Sequence, residues 1–376
     1  MRLLFAIKSL NVPGGGAERV LVQVASGLAD RGHDVAVMTF DSPGASFYPL
    51  DERVRRIDLA VGPPGQPTPR FGLLAALPRM RSAVVAFRPD LAVGFMHSMY
   101  LPLGIALLAS GVPVVASEHA LSRHFQGRAV QRAMVSLSKS LFVAKTVPSE
   151  SVRREHDEAA RKRVFVLPNP LDLESLSGIE QTAPTSPPVL LSVGRFMVEK
   201  NQKDLVEAFG SIAGEFPDWS LRLVGEGELR AELEGQVRHT PHGDRIALPG
   251  ATRDIAGEYR QASIVVVPSR FESFGMVTAE AQACGRPVLG FADCPGTNEL
   301  IVDGVTGLLV PGGESSAQGL ADGLRRLMSD PALRARLGAA GPASVQRFSI
   351  GSVVDAWESF MSKAVAGRLY AEATSP

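Results

Sequence analysis

Short, near-continuous apolar runs alternate with stretches of helical periodicity along the whole chain, and no other feature limits the fold as much. The runs fall at residues 3–7, 35–39, 91–95, 112–116, 141–143 and 164–167. A strand that is apolar on both faces is covered on both faces, as in the parallel sheet of an α/β protein. Helical patterns fill the gaps, for example over 17–30 and 71–87. The alternation restarts at 189–193 and continues at 221–224, 264–267, 287–290 and 307–310.

Two such series need two domains, and 376 residues is a comfortable length for both. Between the series, Thr182-Ala-Pro-Thr-Ser-Pro-Pro188 has the composition of a linker. The chain is therefore expected to be α/β, with two facing Rossmann-like domains. The expected boundaries are a first domain over 1–170, a linker over 171–188 and a second domain over 189–348. A helix over 349–376 is expected to pack back towards the first domain.

Composition narrows the setting. Hydrophobic residues make up 45% and charged residues 21%, enough apolar surface for two cores. The two cysteines, Cys284 and Cys294, form no metal-ligand grouping, which suits a reducing compartment. The apolar run at 3–7 has the length of a strand rather than of a signal peptide. The longest apolar stretch, 101–117, is broken by Gly111-Val-Pro113 and falls short of a spanning helix. A cytoplasmic protein is expected. Charge is divided unevenly: residues 1–170 hold 21 Lys and Arg against 13 Asp and Glu, while the remainder holds 18 against 26. Arg123, Arg128, Arg132, Lys139 and Lys145 stand with no acidic residue among them. Such a run attracts an anionic partner, a membrane surface included. Aromatic residues do not interleave with it, so nucleic acid is not expected.

Four motifs follow strands and carry chemistry. In Glu272-Ser-Phe-Gly-Met-Val-Thr-Ala-Glu280, Gly275 marks a strand-to-helix turn. The backbone N–H groups of Phe274, Gly275, Met276 and Val277 would then be free donors at a positive helix end, suited to a phosphate. Carboxylates beside an anion need hydroxyl partners, so Glu272 and Glu280 suggest a ligand with phosphates in the middle and polyols on either side. The plainer alternative is a capping Glu272 and a solvated Glu280. In Val193-Gly-Arg-Phe-Met-Val-Glu-Lys-Asn201, Arg195 and Lys200 leave a strand end together and can neutralise a diphosphate. Alternatively they are solvated charges paired with Glu199. Gly14, Gly15 and Gly16 precede a helix, where backbone approaches a ligand closely or simply turns. They do not complete a dinucleotide fingerprint, which disfavours a nicotinamide oxidoreductase. His119 follows a strand in Ser117-Glu118-His119, at the cleft end of a sheet, and is catalytic or structural.

Together these segments resemble glycosyltransferase family 4, retaining enzymes of the two-domain GT-B architecture. The likeness spans roughly residues 3–360 and includes Val164-Phe-Val-Leu-Pro-Asn-Pro-Leu-Asp172 and the turn Leu223-Val-Gly-Glu-Gly-Glu228, with Gly225 near the nucleotide. The resemblance implies that Glu272 holds the donor sugar and Glu280 the ribose. It also implies that Arg195 and Lys200 hold the diphosphate, while Gly15, Gly16 and His119 enclose the donor from the first domain. The opening Gly-Gly-Gly-Ala-Glu-Arg and the segment Asp41-Ser-Pro-Gly-Ala-Ser-Phe-Tyr-Pro-Leu-Asp51 resemble bacterial members that extend polyprenyl-diphosphate-linked glycans with UDP-sugars. Transfer of a hexose or N-acetylhexosamine from a nucleotide-diphosphate sugar to a glycan or lipid-linked acceptor is the implied activity. No Asp-x-Asp occurs in the chain, and no metal or other cofactor is expected. A sugar-nucleotide epimerase of the same fold, or a non-catalytic nucleotide-sugar-binding protein, would share these motifs.

Overall fold

The computed structural model describes residues 1–12, 14–41, 44, 46–61, 70–119, 138–181 and 186–370. The chain forms two compact units, one of Met1–Pro170 with the chain from Ile350 onward, the other of Leu171–Ser349. Among the described residues the first unit holds seven parallel strands: β1 (Arg2–Ala6), β2 (Asp34–Thr39), β3 (Arg55–Asp58), β4 (Leu91–Phe95), β5 (Val114–Ser117), β6 (Ala144–Val147) and β7 (Val164–Val166). Their spatial order is β3-β2-β1-β4-β5-β6-β7. The second unit holds β8 (Val189–Val193), β9 (Ser220–Val224), β10 (Ile246–Gly250), β11 (Ile264–Val267), β12 (Val288–Phe291) and β13 (Gly307–Val310), in the order β10-β9-β8-β11-β12-β13. Both sheets are doubly wound, with strand order reversing between β1 and β4 and between β8 and β11.

The central strands are buried along almost their whole length, β4 and β11 entirely, as their apolar runs require. Three differences from the sequence pattern have physical causes. The edge strands β3 and β10 do not read as apolar runs, because an edge strand is open on one side and β3 is Arg-Arg-Ile-Asp. At 141–143 no strand forms. Leu141 ends a 3-10 turn, and Leu141 and Phe142 pack against the helices outside the sheet, while β6 begins only at Ala144. Within the expected linker, Leu171, Leu176 and Ile179 are buried in the core of the second unit.

The helix Ile350–Val365 returns to the first unit, where Val353, Val354, Trp357, Phe360 and Met361 enter the core with Leu3, Phe5 and Val20. It crosses the helix Gly16–Asp30 at Gly27, where a Cβ would lie 2.6 Å from Val354. Arg31 clamps it by 2.7 Å ion pairs to Asp355 and Glu358, and His33 Nε2 lies 2.8 Å from Glu358.

At the C-terminal ends of β8 and β9 the backbones press together. Gly194 N–H donates to Val224 O and Gly225 N–H to Gly250 O, each at 3.0 Å. A Cβ on Gly225 would lie 1.9 Å from Gly194 O, so no other residue fits without parting the strands. At Gly16, the first residue of its helix, a Cβ would meet open space. Gly225→Ala should therefore destabilise the protein by about 1–3 kcal/mol, and Gly16→Ala by no more than about 0.5 kcal/mol. Urea denaturation followed by circular dichroism checks both, and an unchanged midpoint for Gly225→Ala would contradict the close packing.

Candidate active site

The reversal point between β8 and β11 gathers most of the candidate residues of the second unit. β8 delivers Gly194 and Arg195, and a 3-10 turn, Val198–Lys200, brings Lys200 back over the strand end. β11 delivers the loop that carries Glu272, then the helix Met276–Ala283. Lys200 Nζ donates to Glu272 Oε1 at 2.6 Å. With side chains 26% and 14% exposed, this pair is shielded enough to outweigh an ordinary surface ion pair. Lys200 thus pairs across the sheet with Glu272 rather than with its chain neighbour Glu199. Arg195 is exposed, and its guanidinium makes no ion pair among the described residues. Its backbone carbonyl accepts from Gln202 Nε2 at 3.0 Å, which fixes the loop beneath it.

Gly275 caps the helix Met276–Ala283 in the left-handed region, at φ 92°. That turn aims the unpaired N–H groups of the first helical residues out of the strand end, beside Glu272. Phe274 is buried and packs edge-on against Phe348, ring centroids 5.1 Å apart, which anchors the loop. Gly296 supports it from below: a Cβ there would lie 2.7 Å from Glu272 O. Met276 and Val277 are half-buried, on the first turn. Glu280, one turn in, is buried, and its Oε2 accepts from the Tyr259 hydroxyl at 2.8 Å. Tyr259 comes from the helix Ile255–Gln261 and carries no sequence signal beyond a lone tyrosine.

Neither cysteine is a nucleophile. Cys284 and Cys294 are buried and unpaired, and burial pushes each thiol up to about 12. The charge of Glu280 adds to the shift at Cys284 and that of Glu272 to the shift at Cys294. At neutral pH both stay protonated. Among the described residues no group of three or more His, Cys, Asp or Glu side chains is placed to hold a metal ion.

Gly15, Gly16 and His119 belong to the first unit. Gly15 caps the helix Gly16–Asp30, accepting from Arg19 N–H at 3.2 Å, and Gly14 takes the left-handed turn before it, at φ 68°. His119 lies just beyond β5, its ring stacked on Phe95 at 5.0 Å between centroids and its Nε2 3.0 Å from Ser117 Oγ. Burial pushes its pKa down to about 4, against a smaller opposing pull from Asn169. The preceding Glu118 is buried, where its Oε2 accepts from the Tyr100 hydroxyl at 2.7 Å. Burial and then that carboxylate push the phenol well above its ordinary range. Of the basic run, Lys145 is part of β6, while Arg123, Arg128 and Arg132 lie outside the described residues. No helix among the described residues is long and apolar enough to cross a membrane.

Comparison with known proteins identifies the family. The pattern of Glycosyltransferase Family 4 matches residues 14–175, and that of Glycosyl transferases group 1 matches residues 179–344. Phosphatidyl-myo-inositol mannosyltransferase of Mycobacterium leprae is 30% identical over 90% of each chain. D-inositol 3-phosphate glycosyltransferase of Xylanimonas cellulosilytica is 29% identical, again over 90% of each. Among solved structures, sucrose-phosphate synthase of Thermosynechococcus elongatus superposes with a TM-score of 0.79 at 24% identity, covering 98% of this chain and 100% of that one. HepE of Anabaena, in complex with UDP, gives 0.79 at 22% identity, covering 96% and 100%. With two doubly wound sheets, a lysine–glutamate pair at the reversal of the second, and relatives matched over nine-tenths of their length, the chain belongs to glycosyltransferase family 4 and has the GT-B fold.

Proposed function

We propose that the protein is a retaining, metal-independent transferase that moves a hexose or N-acetylhexosamine from a nucleotide-diphosphate sugar to a glycan or lipid-linked acceptor. The meeting of Lys200 and Glu272 beside a helix N-terminus carries this proposal, because cation, carboxylate and backbone donors then converge where phosphates join a polyol. UDP is the first nucleotide to test, since HepE was solved with it bound. The mannosyltransferase relative, named for a phosphatidylinositol acceptor, supports a lipid-linked one.

In this reaction the bond from the sugar's anomeric carbon to the diphosphate breaks, and the electron pair leaves with the diphosphate. Arg195, Lys200 and the N–H groups at Met276 and Val277 hold that developing charge in place of a metal. The acceptor hydroxyl attacks the same face, and its proton passes to the departing phosphate oxygen. Glu272 orients the sugar hydroxyls, and Glu280, held by Tyr259, takes the ribose. Gly15, Gly16 and His119 serve the donor from the first unit, and Gly225 lies near the base.

Three outcomes are expected. A charge-assisted hydrogen bond contributes about 1.5–3 kcal/mol. Arg195→Ala and Lys200→Ala should each slow transfer roughly ten- to a hundredfold at fixed donor concentration. EDTA should leave the rate unchanged, and activity that needs an added divalent ion would sink the metal-free site. The two glutamates should separate in calorimetry with UDP. Glu280→Ala weakens binding of the free nucleotide, whereas Glu272→Ala leaves it nearly unchanged and depresses turnover. Equal losses of affinity would contradict that division. Lastly, the basic run should attach the protein reversibly to anionic lipid, each engaged Lys or Arg contributing about 1 kcal/mol. Sedimentation with phosphatidylglycerol vesicles should be lost in high salt and when Arg123, Arg128 and Arg132 are changed to Glu together. A wild type that stays in the supernatant at low salt would refute the attachment.

A further inference from the structure

The helix Ile255–Gln261 has only seven residues, too few to keep its shape or direction unaided in water. Its bearing therefore comes from the side chains that grip it. Asp254 Oδ1 accepts from Gly257 N–H at 2.8 Å and closes the first turn. Arg222 of β9 reaches Glu258 through Nε and a terminal nitrogen, at 2.6 and 2.9 Å. Arg286 holds the last turn. Its Nε donates to Tyr259 O at 2.9 Å, and a terminal nitrogen donates to Arg260 O and Ile179 O, each at 3.2 Å. Arg286 is buried, and a buried guanidinium needs such acceptors. The last carbonyls of a helix suit it, since they lie beyond the regular hydrogen-bond ladder and carry the negative end of the dipole.

Tyr259 is thereby gripped at both ends by one element. The helix Met276–Ala283 carries Glu280, whose Oε2 accepts from the Tyr259 hydroxyl at 2.8 Å. The turn that ends this helix carries Arg286, which takes the Tyr259 carbonyl. Gly285 shapes that turn: at φ 64° it lets the Arg286 N–H return to Ala281 O at 2.9 Å. Tyr259 cannot swing away from Glu280 without also leaving Arg286. We infer that Arg286 is a positioning residue for the nucleotide site: through Tyr259 it fixes the Glu280 carboxylate in the orientation that receives a ribose diol. This role rests on the proposed reading of Glu280 as the group that takes the ribose. A carboxylate free to rotate must be ordered when the nucleotide binds, whereas one held by a fixed phenol is ordered beforehand.

Calorimetry on the full chain with UDP, GDP and ADP, each beside its 2′,3′-dideoxy form, reads the ribose preference directly. The wild type should bind at least one ribose form about tenfold or more tighter than its dideoxy form, and Glu280→Ala should bring the two together. Arg286→Met keeps much of the side-chain volume and removes the fork. It should cut the preference about three- to tenfold, while the dideoxy form binds as before. Tyr259→Phe should do the same. Because Arg286 acts through Tyr259, the double variant should lose no more than the larger single loss. A general loosening of the fold would instead weaken both nucleotide forms together and leave their ratio alone. Should Arg286→Met fail to fold, Arg286→Lys takes its place, with one nitrogen for the fork's three and an expected loss of about twofold or more. A ratio unchanged in the Arg286 variants, or losses that add in the double variant, overturns the positioning role and leaves Glu280 at the ribose. A wild type that binds none of these nucleotides, or binds both forms alike, removes the ribose reading and this inference with it.

Discussion

A parallel strand can rejoin its sheet only through a crossover, and right-handed crossovers place successive helices on one face until the strand order reverses. Where it reverses, the helices diverge and the strand ends lie open. In the second unit that opening falls between β8 and β11. Everything in the candidate site of that unit depends on it. The turn after β8 can bring Lys200 to the loop after β11 because the two strands are neighbours although 70 residues separate them in sequence. The packing of Gly194 against Gly225 keeps β8 in register with β9 while leaving the β11 side open.

Electrostatics at that opening is arranged in advance. A lysine and a glutamate already in contact leave no unpaired buried charge at the strand ends. The exposed Arg195 then provides the unmatched positive charge, with a helix terminus behind it. Glu280 differs: it is buried and held by Tyr259, so its orientation is set by the fold and not by a ligand.

Much of the fold was legible because central parallel strands must be apolar on both faces, and their runs stand out in the sequence. β3 and β10 were not, since an edge strand needs no second apolar face. The run at 141–143 misled for the opposite reason: its side chains are buried against helices outside the sheet. In the candidate site, Glu272, Lys200 and Arg195 could be named because short motifs with turn residues carry them. Their pairing could not. Contact between Lys200 and Glu272, Tyr259 beneath Glu280, and Thr146 beside Ser117 all join segments distant in sequence, and only strand order brings such segments together. No periodicity encodes that order.

The returning helix Ile350–Val365 gives the chain a direction in time. The first unit is made from both ends of the described sequence, and the notch at Gly27 and the core around Leu3 and Phe5 are filled by Val354 and Trp357. During synthesis the second unit, complete by Ser349, emerges and can fold while the first still lacks its last core layer. A nascent chain stalled between these points carries one finished unit and one open apolar face, the species that chaperones bind. Formation of the helix Ile350–Val365 is therefore the step that closes the first unit, and a chain stopped before it would show the loss in that unit rather than in the second.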